Sequence, residues 1–253
     1  MKLLSVAIIT FNEEKNIKRC LESIESIADE IIIIDSFSTD KTKEISLQFK
    51  NVRFIEQRFL GYIEQKNFAL QKTSNSFVLS LDADEALDKT LLQNIEIEKV
   101  NGFAMDGYTM NRCSNFCGKW IKHGTWYPDV KLRLFNKEKG YWGGTNPHDK
   151  VVLNSHTTTK QLTGDILHYT YYTIEEMIAQ MNMFTTIQAE AMYKKGQKAN
   201  WIKLFISPTI AFINGYIFKA GFLDGKDGFT IAKTVAYQTH LKYAKLKKLQ
   251  EGK

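Results

Sequence analysis

Apolar residues in the first hundred positions fall into short runs separated by stretches of helical spacing. The run Leu3-Leu4-Ser5-Val6-Ala7-Ile8-Ile9 has the length of a buried strand. Ile17, Cys20, Leu21, Ile24 and Ile27 then return to one face of a helix, with Asn12 as its expected N-cap and Glu13 and Glu14 in its first turn. Glu30-Ile31-Ile32-Ile33-Ile34-Asp35 is a second strand ending on a carboxylate, and residues 36–40 lead into a helix carrying Ile45 and Phe49. Val52-Arg53-Phe54-Ile55 is a third strand, followed by a helix over 62–72. Phe77-Val78-Leu79-Ser80-Leu81 is a fourth, running directly into Asp82-Ala83-Asp84-Glu85. Strands alternating with helices through residue 98 predict a parallel sheet covered by helices on both faces. Ligands of such sheets bind beyond the carboxyl ends of the strands, where Asp35, Asp82 and Asp84 are expected.

The texture changes at Gly102. Irregular and alternating segments rich in Trp and Tyr follow, with Lys131-Leu132-Arg133-Leu134-Phe135 as a strand, then helical stretches at 174–195 and 201–219 and a basic tail. Residues 202, 205, 206, 210, 213 and 217 form an apolar helical face that Pro208 is expected to bend. Lys194, Lys195, Lys198, Lys203 and Lys219 flank it, and the segment 240–253 carries a net +4. That combination predicts either an interfacial anchor attracted to anionic lipid or a helix packed on the catalytic core or a second subunit.

With 43% hydrophobic and 25% charged residues, the 253-residue chain has the composition of a folded globular protein. Its net charge of +6 suits an anionic partner. The lysines gather towards the C-terminal end instead of interleaving with a stacking surface, which argues against nucleic acid. Three cysteines are too few for a disulfide scaffold, and Cys113-x-x-x-Cys117 lacks a second pair to complete a zinc site. No run reaches the length of a membrane span, and the expected location is the cytoplasm, with a peripheral contact to the inner face of the cytoplasmic membrane.

All 15 glycines lie at or after Gly61, so the first strand is not followed by either glycine-rich phosphate cradle. A diphosphate held here needs another positive charge, and a divalent cation on strand-end carboxylates supplies one. Asp82-Ala83-Asp84 either serves that purpose or caps the helix that starts near Asp88.

Three segments together resemble family 2 glycosyltransferases: Ser5-Val6-Ala7-Ile8-Ile9-Thr10-Phe11-Asn12-Glu13-Glu14, Ile34-Asp35-Ser36-Phe37-Ser38-Thr39-Asp40 and Leu81-Asp82-Ala83-Asp84-Glu85. The resemblance implies an α/β GT-A fold, a mainly parallel central sheet flanked by helices, here with a C-terminal helical appendage. It also implies inverting transfer of a sugar from a nucleotide-sugar. His168-Tyr169-Thr170-Tyr171 and residues 221–229 resemble the lipopolysaccharide-core β-1,4-glucosyltransferase branch. The expected division is a catalytic domain over 1–170, with a nucleotide-binding half at 1–98 and an acceptor half at 99–170, and an appendage over 171–253.

Carried over on that resemblance, Thr10, Phe11 and Glu13 line the nucleoside pocket, Asp35 accepts from the uracil imide and Lys66 is a basic base-pocket residue. Asp82 approaches the ribose, and Asp84 binds Mg²⁺ or Mn²⁺, with His168 as a further metal ligand. Phe37 stands where the family carries glycine. The base that deprotonates the acceptor hydroxyl is assigned to Asp149, in Trp142-Gly143-Gly144-Thr145-Asn146-Pro147-His148-Asp149, with His148 available to orient it or the acceptor. The aromatic group Trp120, Trp126, Tyr127, Tyr141 and Trp142 stacks on sugars or fills core, and Asp129, Lys131 and Arg133 contact an anionic acceptor or form a solvated strand face. The expected donor is a UDP-hexose, glucose by the branch, and the expected acceptor a glycolipid or polysaccharide such as lipopolysaccharide core. The alternative is a non-catalytic nucleotide-sugar-binding or membrane-associated scaffold of the same fold.

Overall fold

In the computed structural model, which describes residues 2–145 and 148–252, β1 (Leu4–Thr10) pairs in parallel with β2 (Glu30–Asp35). Alternation along β2 explains why its isoleucine run is unbroken. Ile31 and Ile33 enter one core with Ile17, Cys20, Leu21 and Ile24 of α1 (Ile17–Ile24), while Ile32 and Ile34 enter a second core on the opposite face. Each fully buried aliphatic side chain there contributes about 1.5–3 kcal/mol.

After α2 (Thr42–Ser46), β3 (Val52–Glu56) joins the outer side of β2 in parallel. α3 (Tyr62–Lys72) covers the second core with Ala69 and Leu70. β4 (Phe77–Asp82) pairs in parallel with the inner side of β1. β5 (Glu85–Leu87) follows, and Asp88 caps α4 (Lys89–Val100), accepting from Leu91 N at 2.7 Å.

The remaining strands are β6 (Gly107–Phe116), β7 (Lys119–Trp120), β8 (Val130–Asn136), β9 (Gly140–Thr145), β10 (His148–Leu153) and β11 (Thr159–Tyr171). The main sheet runs β3-β2-β1-β4-β8-β6-β11-β5, with β7 on β6. β8 is antiparallel to β4 and β6, and β11 is antiparallel to β5. β9 and β10 form a separate antiparallel pair, with Asp149 opposite Gly144.

The chain divides into two compact units, Met1–Arg112 with Asp129–Tyr169, and Cys113–Pro128 with Thr170–Lys253. In the second, Phe116, Ile121, Met177 and Ile231 form the core, with Trp126, Tyr171 and Val235 packed on it. α5 (Ile174–Lys194) starts on a capping box between Thr173 and Glu176. The predicted helix at 201–219 is α6 (Ser207–Ile213) between π-helical turns at Ile202–Ile206 and Asn214–Phe218, with Pro208 in its first turn. α7 (Gly225–Gln250) then takes in most of the predicted tail. Gly228 is needed because a Cβ there would stand 1.9 Å from the Gly221 carbonyl oxygen. Asp224 accepts from Lys122 N at 3.2 Å and His123 N at 2.9 Å, tying the start of α7 to the 119–124 segment.

Asn12 departs from its expected role. α1 begins at Ile17, and Asn12 lies at φ 54°, its side chain accepting instead from Thr39 N at 2.8 Å. An asparagine tolerates this left-handed backbone, and the bond across the loops takes the oxygen that would have capped the helix. Cys113 is buried, Cys117 is exposed, and no cluster of three or more His, Cys, Asp or Glu that could hold a metal occurs among the described residues.

Candidate active site

Register delivers the strand-end residues to one edge. Thr10 is the parallel partner of Asp35, and Ile9 that of Asp82, so the ends of β2, β1 and β4 lie side by side. The loops leaving β1 and β2 are laced together. Asn12 N donates to Ser38 Oγ, Glu13 N to Thr42 Oγ1 (both 2.8 Å) and Glu14 N to Asp40 Oδ2 (3.0 Å). Asp35 is buried, and Ser38 occupies both its oxygens, the backbone N–H at 2.7 Å and the hydroxyl at 2.5 Å. Phe37 keeps the left-handed conformation of a glycine position, at φ 63°, with its side chain exposed. Phe11 is also exposed, and the Thr10 hydroxyl is buried with no hydrogen-bond partner.

Glu13 is half-buried beside this edge. Burial, then Asp84, Asp40 and Asp82, push its carboxyl up to about 7, against a smaller lowering by Asn16, whose amide donates to Glu13 Oε2 at 2.7 Å. Asp84 and His168 meet because β11 runs antiparallel to β5 with His168 opposite Glu85. His168 Nε2 lies 3.1 Å from Asp84 Oδ2, and Tyr169 N donates to the Asp84 carbonyl at 2.9 Å.

Asp82 belongs to an ionic network absent from the sequence reading. Arg133 Nη2 on β8 donates to Asp82 Oδ2 at 3.0 Å and to Glu85 Oε1 at 2.8 Å, and Arg112 Nη1 reaches Glu85 at 3.4 Å. Glu85 is fully buried and also accepts from Asp82 N at 3.0 Å. Burial alone would raise the Asp82 carboxyl, but Lys66 and Arg133 outweigh it and hold it well below the usual carboxylate range. Burial alone would lower the Arg133 guanidinium, and Glu85 and Asp82 together raise it instead. Arg133 is thus not on a solvated face; its Nε and Nη1 are buried without hydrogen-bond partners. Asp129 pairs with Arg112 at 2.9 Å and Lys131 at 2.8 Å. Period-two alternation was the signal for Arg133, since it shares a strand face with fully buried Phe135.

Lys66 is buried on α3 between carboxylates far apart in sequence. Its Nζ lies 2.8 Å from Asp149 Oδ2 and 3.0 Å from Asp82 Oδ1. The neighbouring Asn67 holds the β9–β10 pair: its Nδ2 donates to the Trp142 carbonyl at 2.7 Å and its Oδ1 accepts from Trp142 N at 3.0 Å. Trp142 is buried, its ring 4.4 Å from Lys66 Nζ and 5.4 Å from the Arg133 guanidinium carbon. It is core to this network, whereas Tyr141 is exposed. Asn146, Pro147 and the His148 side chain lie outside the described residues.

Asp82, Asp149, Lys66, Arg133 and Glu85 therefore form one cluster at the carboxyl edge of the sheet, with Asp84 and His168 paired on the adjoining β5–β11 edge. Residues 5–157 match the family model for glycosyl transferase family 2. The chain is 32% identical to an uncharacterized glycosyltransferase of Rickettsia typhi, over 98% of this chain and 88% of that protein. It is 29% identical to the lipopolysaccharide core biosynthesis glycosyltransferase LpsC of Rhizobium meliloti, over 96% of this chain and 91% of the relative. Among solved structures, S. aureus TarS residues 1–349 aligns at 14% identity and a TM-score of 0.45, covering 99% of this chain and 92% of that one. With more than half its length matched to the family model and relatives aligned along nearly all of it, the chain belongs to glycosyl transferase family 2 and is an enzyme of that family with the GT-A fold.

Proposed function

We propose that the enzyme transfers a hexose, glucose by the branch it resembles, from a UDP-sugar to a glycolipid or polysaccharide acceptor such as lipopolysaccharide core, inverting the anomeric centre. The observation that carries this reading is the approach of Asp149 to Asp82 through a shared lysine, which joins an acceptor-side carboxylate to the strand-end carboxylates. The relation to LpsC supports the acceptor class.

In this reading Thr10, Phe11, Glu13 and Asp35 form the nucleoside pocket, and Asp82 faces the ribose. Each carboxylate oxygen of Asp35 has a second lone pair beyond the bond from Ser38, so an imide N–H can still be accepted. Asp149 takes the proton of the acceptor hydroxyl as that oxygen bonds to the anomeric carbon and the bond to the diphosphate breaks on the opposite face. Asp84 and His168 offer a carboxylate oxygen and an imidazole nitrogen 3.1 Å apart, a donor set that fits Mn²⁺ or Mg²⁺ once diphosphate oxygens and water complete it. When bound, such an ion would offset the charge developing on the leaving diphosphate. Residues 1–170 are assigned the catalytic work and 171–253 the appendage.

The appendage is proposed to rest on an anionic membrane face. Trp201, Phe205, Ile210, Ile217, Phe218 and Leu223 are all exposed large apolar side chains, in a stretch that also carries Lys203 and Lys219. No helix among the described residues is long and apolar enough to cross a membrane, so this contact would be peripheral.

Thermal stabilisation by UDP-, GDP-, CMP- and dTDP-sugars with Mn²⁺, on wild type and Asp84→Ala, tests the donor site. At a hundred times its dissociation constant a ligand adds about 2.7 kcal/mol. The expected result is a UDP-selective shift that needs the ion and disappears in Asp84→Ala; no shift with any of them would refute the donor assignment.

A further inference from the structure

Lysine side chains are seldom buried unless anions meet them. The Lys66 side chain is 4% exposed, and its surroundings leave little room for a nucleobase. Asp149 Oδ2 lies at 2.8 Å, Asp82 Oδ1 at 3.0 Å and Oδ2 at 3.3 Å, and the Trp142 ring closes the remaining side at 4.4 Å. Three donors on one ammonium are therefore met by two carboxylates and an aromatic face. The next residue, Asn67, binds the backbone of β9 through both atoms of its amide, so consecutive residues of α3 hold the strand pair and the carboxylate it carries.

We propose that Lys66 is a positioning residue for Asp149, clamping one oxygen of that carboxylate so that the other faces the acceptor, and tying it to Asp82 on the donor side. The proposal rests on the reading of Asp149 as the base. It replaces the expected contact of Lys66 with the nucleotide base by a contact with the catalytic carboxylate.

The clamp has two consequences. It fixes which oxygen takes the proton, because Oδ2 is engaged by Nζ. It also couples Asp149 to Asp82 through one ammonium, so the acceptor-side and donor-side carboxylates are held in one geometry. The groups facing Asp149 are Lys66 and Tyr62 from α3, Asp82 from β4 and Arg133 from β8. Arg133 is committed to Asp82 and Glu85, so Lys66 is the cation in contact with Asp149 among the described residues.

The test follows UDP-glucose with Mn²⁺ on wild type, Lys66→Met and Lys66→Arg, by thermal stabilisation for donor binding and by UDP release to water for turnover. Lys66→Met should keep the donor-induced shift and lose at least about tenfold in kcat, and Lys66→Arg, which still presents a cation, should recover most of that loss. Unchanged kcat or a lost donor shift in folded Lys66→Met, or no recovery by arginine, overturns the proposal. If Lys66→Met does not fold, Lys66→Gln is read by the same two measurements and against the same outcomes. Normal turnover by Asp149→Asn would sink the base assignment. An inactive Asp149→Asn beside a fully active Lys66→Met would sink the clamp alone.

Discussion

Replacing Arg133 by methionine keeps much of the side-chain volume and removes the charge that Asp82 and Glu85 share. Both contacts are short, 3.0 Å to Asp82 and 2.8 Å to Glu85, and Glu85 has no exposed surface. The substitution leaves Glu85 with the more distant Arg112 at 3.4 Å and a backbone N–H, and Asp82 with Lys66 alone. Removing one partner of a buried ion pair costs about 3–5 kcal/mol, because the other charge stays buried without compensation. The pH dependence follows from the depressed Asp82 carboxyl. In wild type its contribution is complete above the unfolded value of 3.8 and is lost as the pH falls through the lower folded value. In Arg133→Met the Asp82 carboxylate loses one of the two cations that hold it down and takes up its proton at higher pH, so the gap between the two proteins should narrow on acidification. Urea unfolding followed by circular dichroism at pH 7.5, 6 and 4.5 would measure this (the pH values are roughly spaced to bracket carboxylate titration). A gap below about 1 kcal/mol at the highest pH, or one unchanged down to the lowest, would refute the reasoning.

Glu13 carries the opposite sign. Its folded pKa of about 7 lies above the unfolded 4.5, so stability from this group is present at low pH and declines as pH rises between those values. Glu13→Gln should gain about 1–2 kcal/mol on wild type at pH 8, after discounting for its partial exposure, and nothing near pH 4; equal melting shifts at both would contradict this. Phe37→Gly relieves a left-handed phenylalanine whose side chain is exposed, while adding unfolded-state entropy. The net change should stay within about 1 kcal/mol, and a larger loss in chemical denaturation would mean that the side chain packs on something. Replacing Trp201, Phe205 and Phe218 together by serine should leave the fold intact and abolish co-sedimentation with anionic vesicles; undiminished binding would refute the membrane contact.

Local pattern was enough for most strands and helices of the first hundred residues, though not for β5. The strands at 30–35 and 77–81 and the helix at 62–72 could be read because each carries its own period or an uninterrupted apolar run, and alternation of the two types dictates a parallel sheet. The sequence also determined which chemistry-bearing residues stand at strand ends, since a strand that runs into Asp35 or Asp82 needs no partner to end there. It did not determine which of them meet. Asp84 faces His168 because β11 returns antiparallel to β5, and Lys66 faces Asp149 because Asn67 binds the β9 backbone; both are long-range pairings without local periodicity. For Trp142 the sequence left sugar stacking and core both open, and for Arg133 an acceptor contact and a solvated face; both residues lie inside an ion network, because burial of a charge is settled by the anions that reach it from other strands. Asn12 shows the same limit on a smaller scale. Its type suits a helix cap, but a neighbouring loop offered Thr39 N–H, and that tertiary bond outcompeted the local one.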